Sequence, residues 1–314
     1  MQREHAARAR RWGLGLGVPL LLLGVTAGQV NPGEGLKLLA ETGPLMALAL
    51  LPFAAMLTFD TLGWRRLFTP STRTTVGFAD AFAARTAAEA VGQSLPSAGV
   101  AGEAAAAWLL RVRTDTPLGE AVGTLAARRI LLALGHGLVL AVAAVALAVA
   151  PPSVPRALGG PLVASALVML GVALAGSTVL RHASPFARLH VVLRHLPWDG
   201  VRAWLGGRIV GLPQADREAS RVFRRADGPW IGAAVFYLAL YLTETLETWL
   251  LLRLLGAEVP LVAVLAVEPL LSLLRATVFF VPAGLGVQDL GYVAFLHASG
   301  VPEAAALGAA FVVL

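Results

Sequence analysis

Long apolar runs alternate with short basic segments along this chain. A helix crossing the hydrocarbon core of a bilayer needs about 20 mostly apolar residues. Six stretches meet that need: 12–30, 45–64, 130–150, 161–180, 230–252 and 260–281. Two further apolar stretches are interrupted. Residues 76–110 contain Arg85, Glu89, Pro96 and Glu103, and residues 291–314 contain His297, Pro302 and Glu303. The pattern predicts an all-α fold, a polytopic integral membrane helix bundle with six full spans and two broken or re-entrant hairpins. It forms a single transmembrane domain over 1–314, with the hairpins at 76–110 and 282–314 and a basic cytoplasmic loop at 181–229.

Composition narrows the class. The chain is 57% hydrophobic and 14% charged with a mean hydropathy of +0.73, whereas soluble domains carry about 25% charged residues. A soluble enzyme, a disordered chain and a disulfide scaffold are excluded, the last because there is no cysteine. The net charge is +6 and Lys37 is the only lysine. In a soluble protein that basicity would raise nucleic acid as a partner. No aromatic-basic motif of a nucleic-acid reader is present, so none is expected.

The arginines set orientation instead. Segments 1–11, 65–73, 111–129 and 181–225 together hold 20 Lys and Arg, against 3 in 31–44, 151–160 and 253–258. A cytoplasmic N-terminus follows from this excess. It also requires 76–110 to enter and leave on one side, which a re-entrant hairpin supplies. Arg3, Arg8, Arg10 and Arg11 look like a signal-peptide n-region, but the apolar run after them is long and 25–29 is a weak cleavage site, so an uncleaved first helix is expected. Loop 181–229 carries nine arginines against Asp199, Asp216, Glu218 and Asp227, with Trp198 and Trp204 among them. It reads either as an amphipathic segment drawn to anionic lipid or as a solvated loop.

Charge at bilayer depth is costly, at least about 2.5–3.5 kcal/mol on insertion scales, so such residues are functional candidates. Glu244 and Glu247 lie three residues apart on one helical face, flanked by Thr243, Thr245 and Thr248. They read as a proton site or headgroup partner in a polar cavity, or as contacts for Arg275 or Arg85. Glu268 and Arg275 project from one side of a helix, two turns apart, and each is expected to meet a residue of another helix. Asp60, just before Trp64, Arg65 and Arg66, reads as an interfacial residue. His136, His182, His190, His195 and His297 show no paired spacing with carboxylates on one span. No nucleophile elbow or phosphate loop is present. No catalytic residue, metal or cofactor is expected.

Two segments combine breaks with polar residues. In the first, Arg85 and Glu89 are one turn apart and can pair or share a site. Pro96, Gly99 and Gly102 then break the helix, and Glu103 opens the next one, where a carboxylate suits the unsatisfied N–H groups. In the second, Pro282, Gly284 and Gly286 end a helix and Gln288 and Asp289 open another. Irregular backbone at membrane depth is tolerated only inside protein or beside a wet cavity, and paired broken helices are a transporter pattern.

These same residues carry a resemblance. Pro282-Ala-Gly284-Leu-Gly286-Val-Gln288-Asp289, followed by Gly300-Val301-Pro302, resembles the closing motif of the lysylphosphatidylglycerol synthase transmembrane-region family, usually Pro-x-Gly-x-Gly-x-Arg-Glu. Leu95-Pro96 with Gly102-Glu103 resembles its Leu-Pro-x-x-x-Gly-Glu motif. Gln288 and the Arg85-x-x-x-Glu89-x-Val run resemble the branch associated with hopanoid biosynthesis. Asp289 and Gln288 depart from the family's Glu and Arg. Members generally continue with a basic residue and another helix, so either a final helix is missing or the last half-helix ends within the membrane. The resemblance implies a flippase-like protein of the bacterial inner membrane that binds and translocates or presents an anionic or amphipathic lipid. It does not imply synthase activity, which resides in a separate soluble domain.

The expected headgroup-binding residues are Arg85, Glu89, Glu103, Gln288 and Asp289. Pro96, Gly99, Gly102, Pro282, Gly284 and Gly286 shape the breaks, and Glu244, Glu247, Glu268 and Arg275 line the path, with alternating exposure of a midplane site as the mechanism. The alternatives are a scaffold docking lipid-biosynthesis enzymes and a membrane-embedded lipid-modifying enzyme.

Overall fold

The computed structural model describes residues 40–41, 43–94, 98–151, 156–195, 211–224, 228–277 and 287–298. The first predicted span, Trp198 and Trp204, and the break at Pro282, Gly284 and Gly286 lie outside them. Among the described residues the chain is helical throughout, with no strand. The helices are α1 (Leu50–Leu67), α2 (Pro70–Thr75), α3 (Phe78–Ser94), α4 (Ala98–Thr114), α5 (Leu118–Ala148), α6 (Gly159–His182), α7 (Pro185–Arg194), α8 (Leu212–Phe223), α9 (Pro229–Leu254), α10 (Leu261–Thr277) and α11 (Val287–Ala298). A 3-10 turn over Gly43–Ala49 leads directly into α1.

Among the described residues, four helical stretches are long and apolar enough to cross a membrane: Gly43–Leu67, Leu118–Ala148, Arg156–His182 and Pro229–Leu254. Their outer faces are apolar and exposed, as Val163, Leu167, Val168 and Leu174 of α6 show. A bundle with such faces is a multi-pass membrane protein, because contiguous exposed apolar surface of this extent is not left in water.

Helix α5 is the hub, packing against α1, α4, α6, α8, α9 and α10. It corrects the expected boundary at residue 130. It starts at Leu118 and runs 31 residues, about 46 Å at 1.5 Å per residue, against a hydrocarbon core of about 30 Å. Much of the segment counted as loop 111–129 is therefore helix, with Arg128 and Arg129 in it. The expected basic loop also contains order: α7 and α8 both lie within it.

Helix α8 is amphipathic, burying Ala215, Ala219, Val222 and Phe223 on one side. It packs on the N-terminal part of α5 through two glycines. A Cβ on Gly123 would lie 2.5 Å from the Ala215 carbonyl oxygen, and one on Gly119 would lie 2.6 Å from Gln214 Cβ. Small residues four apart permit this backbone approach.

Acids near the basic side serve as caps. Glu120 accepts from the Thr69 amide at 2.8 Å and the Thr72 hydroxyl at 2.6 Å, at the start of α2. Asp216 accepts from the Phe186 and Ala187 amides at 3.0 and 2.7 Å, at the start of α7. Arginines cover the opposite helix ends. Arg73 donates to the carbonyls of Arg66 and Phe68, and Arg221 donates to that of Leu67, all at the end of α1. Both choices follow the helix dipole. Burial, and then the neighbouring charges of Arg66, Arg221 and Arg65, hold the Arg73 guanidinium below its ordinary value.

Within 76–110, α3 packs on α4. A Cβ on Gly102 would fall 2.5 Å from the Ala88 carbonyl oxygen. Gly99 and Gly102 thus lie inside α4 rather than at the break, and Gly102 serves close packing. Pro96 is outside the described residues. Val100, Trp108 and Val112, eight and four residues apart, form an exposed apolar stripe along α4.

Candidate functional site

A buried ion cluster forms where α1, α3, α4 and α5 meet. Asp60, expected at the interface, is only 4% exposed and sits at its centre. Its Oδ2 accepts from Arg85 Nε at 2.7 Å. Arg128 grips it with two bonds, Nε to Oδ1 at 2.6 Å and Nη2 to Oδ2 at 2.7 Å. This fork-to-carboxylate geometry is the strong form of the pair. Glu103 completes the cluster, accepting from Arg85 Nη1 at 3.2 Å, Arg128 Nη1 at 2.7 Å and Arg129 Nη2 at 2.8 Å.

Glu103 was expected to interact with the amides at a helix start. It is instead the sixth residue of α4, past the four free N–H groups of a helix N-terminus, and its partners are guanidiniums. Asp60 and Arg128 were missed as site residues. The signal available was one carboxylate and one arginine at helical depth, but their partners lie 25 and 68 positions apart in sequence.

The cluster forms one end of a cavity of about 300 Å³. Asp60, Arg85, Glu89, Arg128 and Arg129 stand toward the basic side. His136, Tyr241, Glu244, Ser272 and Arg275 continue the lining. From Arg128 to His136 is eight residues of α5, about 12 Å along the helix. Arg275 Nη2 donates to Glu244 Oε1 at 2.9 Å, and Ser272 Oγ donates to the same oxygen at 3.3 Å. The polar groups thus extend over about two helical turns of the bundle. The lining carries four guanidiniums and three carboxylates.

The arginines differ in access. The side chains of Arg85 and Arg128 are 4% and 5% exposed, those of Arg129 and Arg275 52% and 33%. Next to the cluster, the buried Tyr237 hydroxyl has no hydrogen-bond partner among the described residues. His136 packs its ring on Tyr241 and bonds the Pro269 carbonyl through Nε2 at 2.8 Å. Among the described residues, no group of three His, Asp or Glu is arranged to hold a metal ion.

The other expected residues fall as follows. Glu268 is buried, accepting from the Thr248 hydroxyl at 2.8 Å and the Tyr292 hydroxyl at 2.5 Å. Glu247, placed by its spacing beside Glu244, is half-buried and does not line the cavity. Glu103 likewise reaches the cavity only through the arginines it holds. Gln288 and Asp289 occupy the first turn of α11, with side chains outside the described residues, as are Pro282, Gly284 and Gly286.

The family described as lysylphosphatidylglycerol synthase TM region matches residues 12–313. No curated protein and no solved structure shows a significant match. With the match spanning nearly the whole chain, and with long apolar helices around a charged interior, this protein belongs to the lysylphosphatidylglycerol synthase transmembrane-region family, a family of membrane proteins involved in lipid handling.

Proposed function

We propose that the protein binds an amphipathic lipid by its headgroup and translocates or presents it, in a flippase-like manner and without bond chemistry. The supporting observation is the cavity of about 300 Å³, which draws charged side chains from α1, α3, α5, α9 and α10. A charged headgroup entering an apolar bundle needs counter-charges already in place, because creating them there is expensive. With Glu103, which holds three of them, the four guanidiniums face four carboxylates, so an anionic headgroup binds here by exchange rather than by filling a charge excess. Arg85 and Arg128 anchor the cluster. Arg129 and Arg275 are the reachable ones, and a phosphate there exchanges one ion pair for another. The lipid class is phospholipid, glycolipid or hopanoid-type, the last resting on Gln288 and the Arg85-to-Val91 run. The bacterial inner membrane with a cytoplasmic N-terminus is the proposed setting, supported by the arginine distribution.

The test is translocation of a fluorescent anionic lipid in proteoliposomes. Arg129→Gln, Glu103→Ala and Asp289→Ala should each lose translocation while the protein remains folded. Wild-type rates in all three would sink the site assignment. A second reading, a scaffold for enzymes of lipid biosynthesis, is favoured by one observation: α7 and α8 form an ordered basic-side surface. It predicts loss of function on changing that surface and none on changing the cavity.

A further inference from the structure

A second cavity, of about 520 Å³, lies apart from the charged one, between α5, α6, α8 and α9. Its walls are apolar: Leu131 and Leu134 from α5, Leu170 and Leu174 from α6. Phe223 and Trp230 border it at the basic side, and Arg181 and Arg224 stand at its mouth there. Both arginines are exposed. The geometry points to a binding site for one anionic phospholipid, with an acyl chain in the groove and its phosphate between Arg181 and Arg224.

Length, charge and access converge on that occupant. From Leu170 to Arg181 is eleven residues of α6, about 16 Å, which is about half the hydrocarbon core and so one leaflet. The groove therefore starts near the bilayer middle and ends where headgroups begin. Arg181 is in the last turn of α6, Arg224 ends α8, and Trp230 is in the first turn of α9. Guanidiniums match phosphate oxygens in forked geometry, and tryptophan favours headgroup depth. Leu174 is 71% exposed on the lipid-facing side, so a chain can enter sideways from the bilayer. Because α8 supplies Phe223 and Arg224, an occupying lipid fastens α8 to the membrane spans.

The test uses the full chain in nanodiscs with a phosphatidylglycerol bearing a diazirine on its acyl chain, and with the phosphatidylcholine counterpart. Crosslinks from phosphatidylglycerol should concentrate on 170–177 and be competed by unlabelled phosphatidylglycerol. Arg181→Ala/Arg224→Ala should weaken that competition roughly thirtyfold, from about one lipid-surface interaction energy per arginine. Ser177→Trp, which narrows the groove without touching a charge, should remove the crosslinks while the protein stays folded. Labelling spread evenly over Val163, Leu167 and Val168, or equal labelling by both lipids, would overturn the proposal in favour of ordinary annular contact. Lipid translocation is read separately in the same variants, so failure of the groove and failure of the charged cavity give different results.

Discussion

Asp60→Asn is the most informative single change. It keeps the shape and removes the charge that two buried guanidiniums share. Asp60 lies 2.6 and 2.7 Å from Arg128 nitrogens and 2.7 Å from Arg85. A charge pair at about 4 Å is worth about 4 kcal/mol at an effective dielectric near 20. Two pairs give about 8 kcal/mol, set against several kcal/mol for holding the carboxylate out of water, so a net loss of about 3–5 kcal/mol is expected. At about 2–4 °C per kcal/mol for a large chain, the melting temperature should fall by roughly 10 °C. The assay is thermal unfolding of detergent-solubilised protein, monitored by size-exclusion chromatography. The companion variant Asp60→Leu/Arg128→Met removes the pair together and leaves Glu103 for Arg85 and Arg129. It should recover most of the stability, since buried pairs can be replaced by apolar packing, yet should not recover translocation. A fall below about 2 °C in Asp60→Asn would refute the coupling argument. Wild-type translocation in the double variant would reduce the cluster to a structural role.

Three further outcomes are expected. Gly102→Leu forces α3 from α4, because even a Cβ would lie 2.5 Å from the Ala88 carbonyl oxygen; it should cost about 1–3 kcal/mol, and an unchanged melting temperature would contradict the close approach. Glu120→Ala leaves the Thr69 amide and Thr72 hydroxyl without their acceptor, a loss of about 1–3 kcal/mol, seen as faster tryptic cleavage after Arg73. Glu244→Gln and Arg275→Gln should show a coupling of about 1–3 kcal/mol in a double-mutant cycle of unfolding; zero coupling would contradict the 2.9 Å ion pair.

The helical class and the central parts of the spans were legible because hydrocarbon thickness imposes length and apolarity. Arg85, Glu103, Glu244 and Arg275 were legible for the same reason: a charge inside an apolar run stands out. Asp60 was not, because Trp64, Arg65 and Arg66 follow it and mimic a membrane boundary. Arg128 and Arg129 were hidden by Glu120 and the arginines before it, which lower the local hydropathy and make a helix resemble a loop. Pairing was illegible throughout, since Asp60, Arg85, Glu103 and Arg128 are joined only by tertiary packing. Gly102 was noticed as a breaker, but the space a glycine leaves depends on the helix facing it.

The length of α5 has a mechanical consequence. Gly119 and Gly123, pressed against α8, and Arg128, holding Asp60, lie on one unbroken helix. Arg128 is only five residues from Gly123, about 7.5 Å along the axis. A helix this short between two grips behaves as a stiff shaft, so torque applied to α8 at the membrane surface turns the guanidinium inside. The packing of α8 and the buried hold on Asp60 are thus two ends of one rigid element.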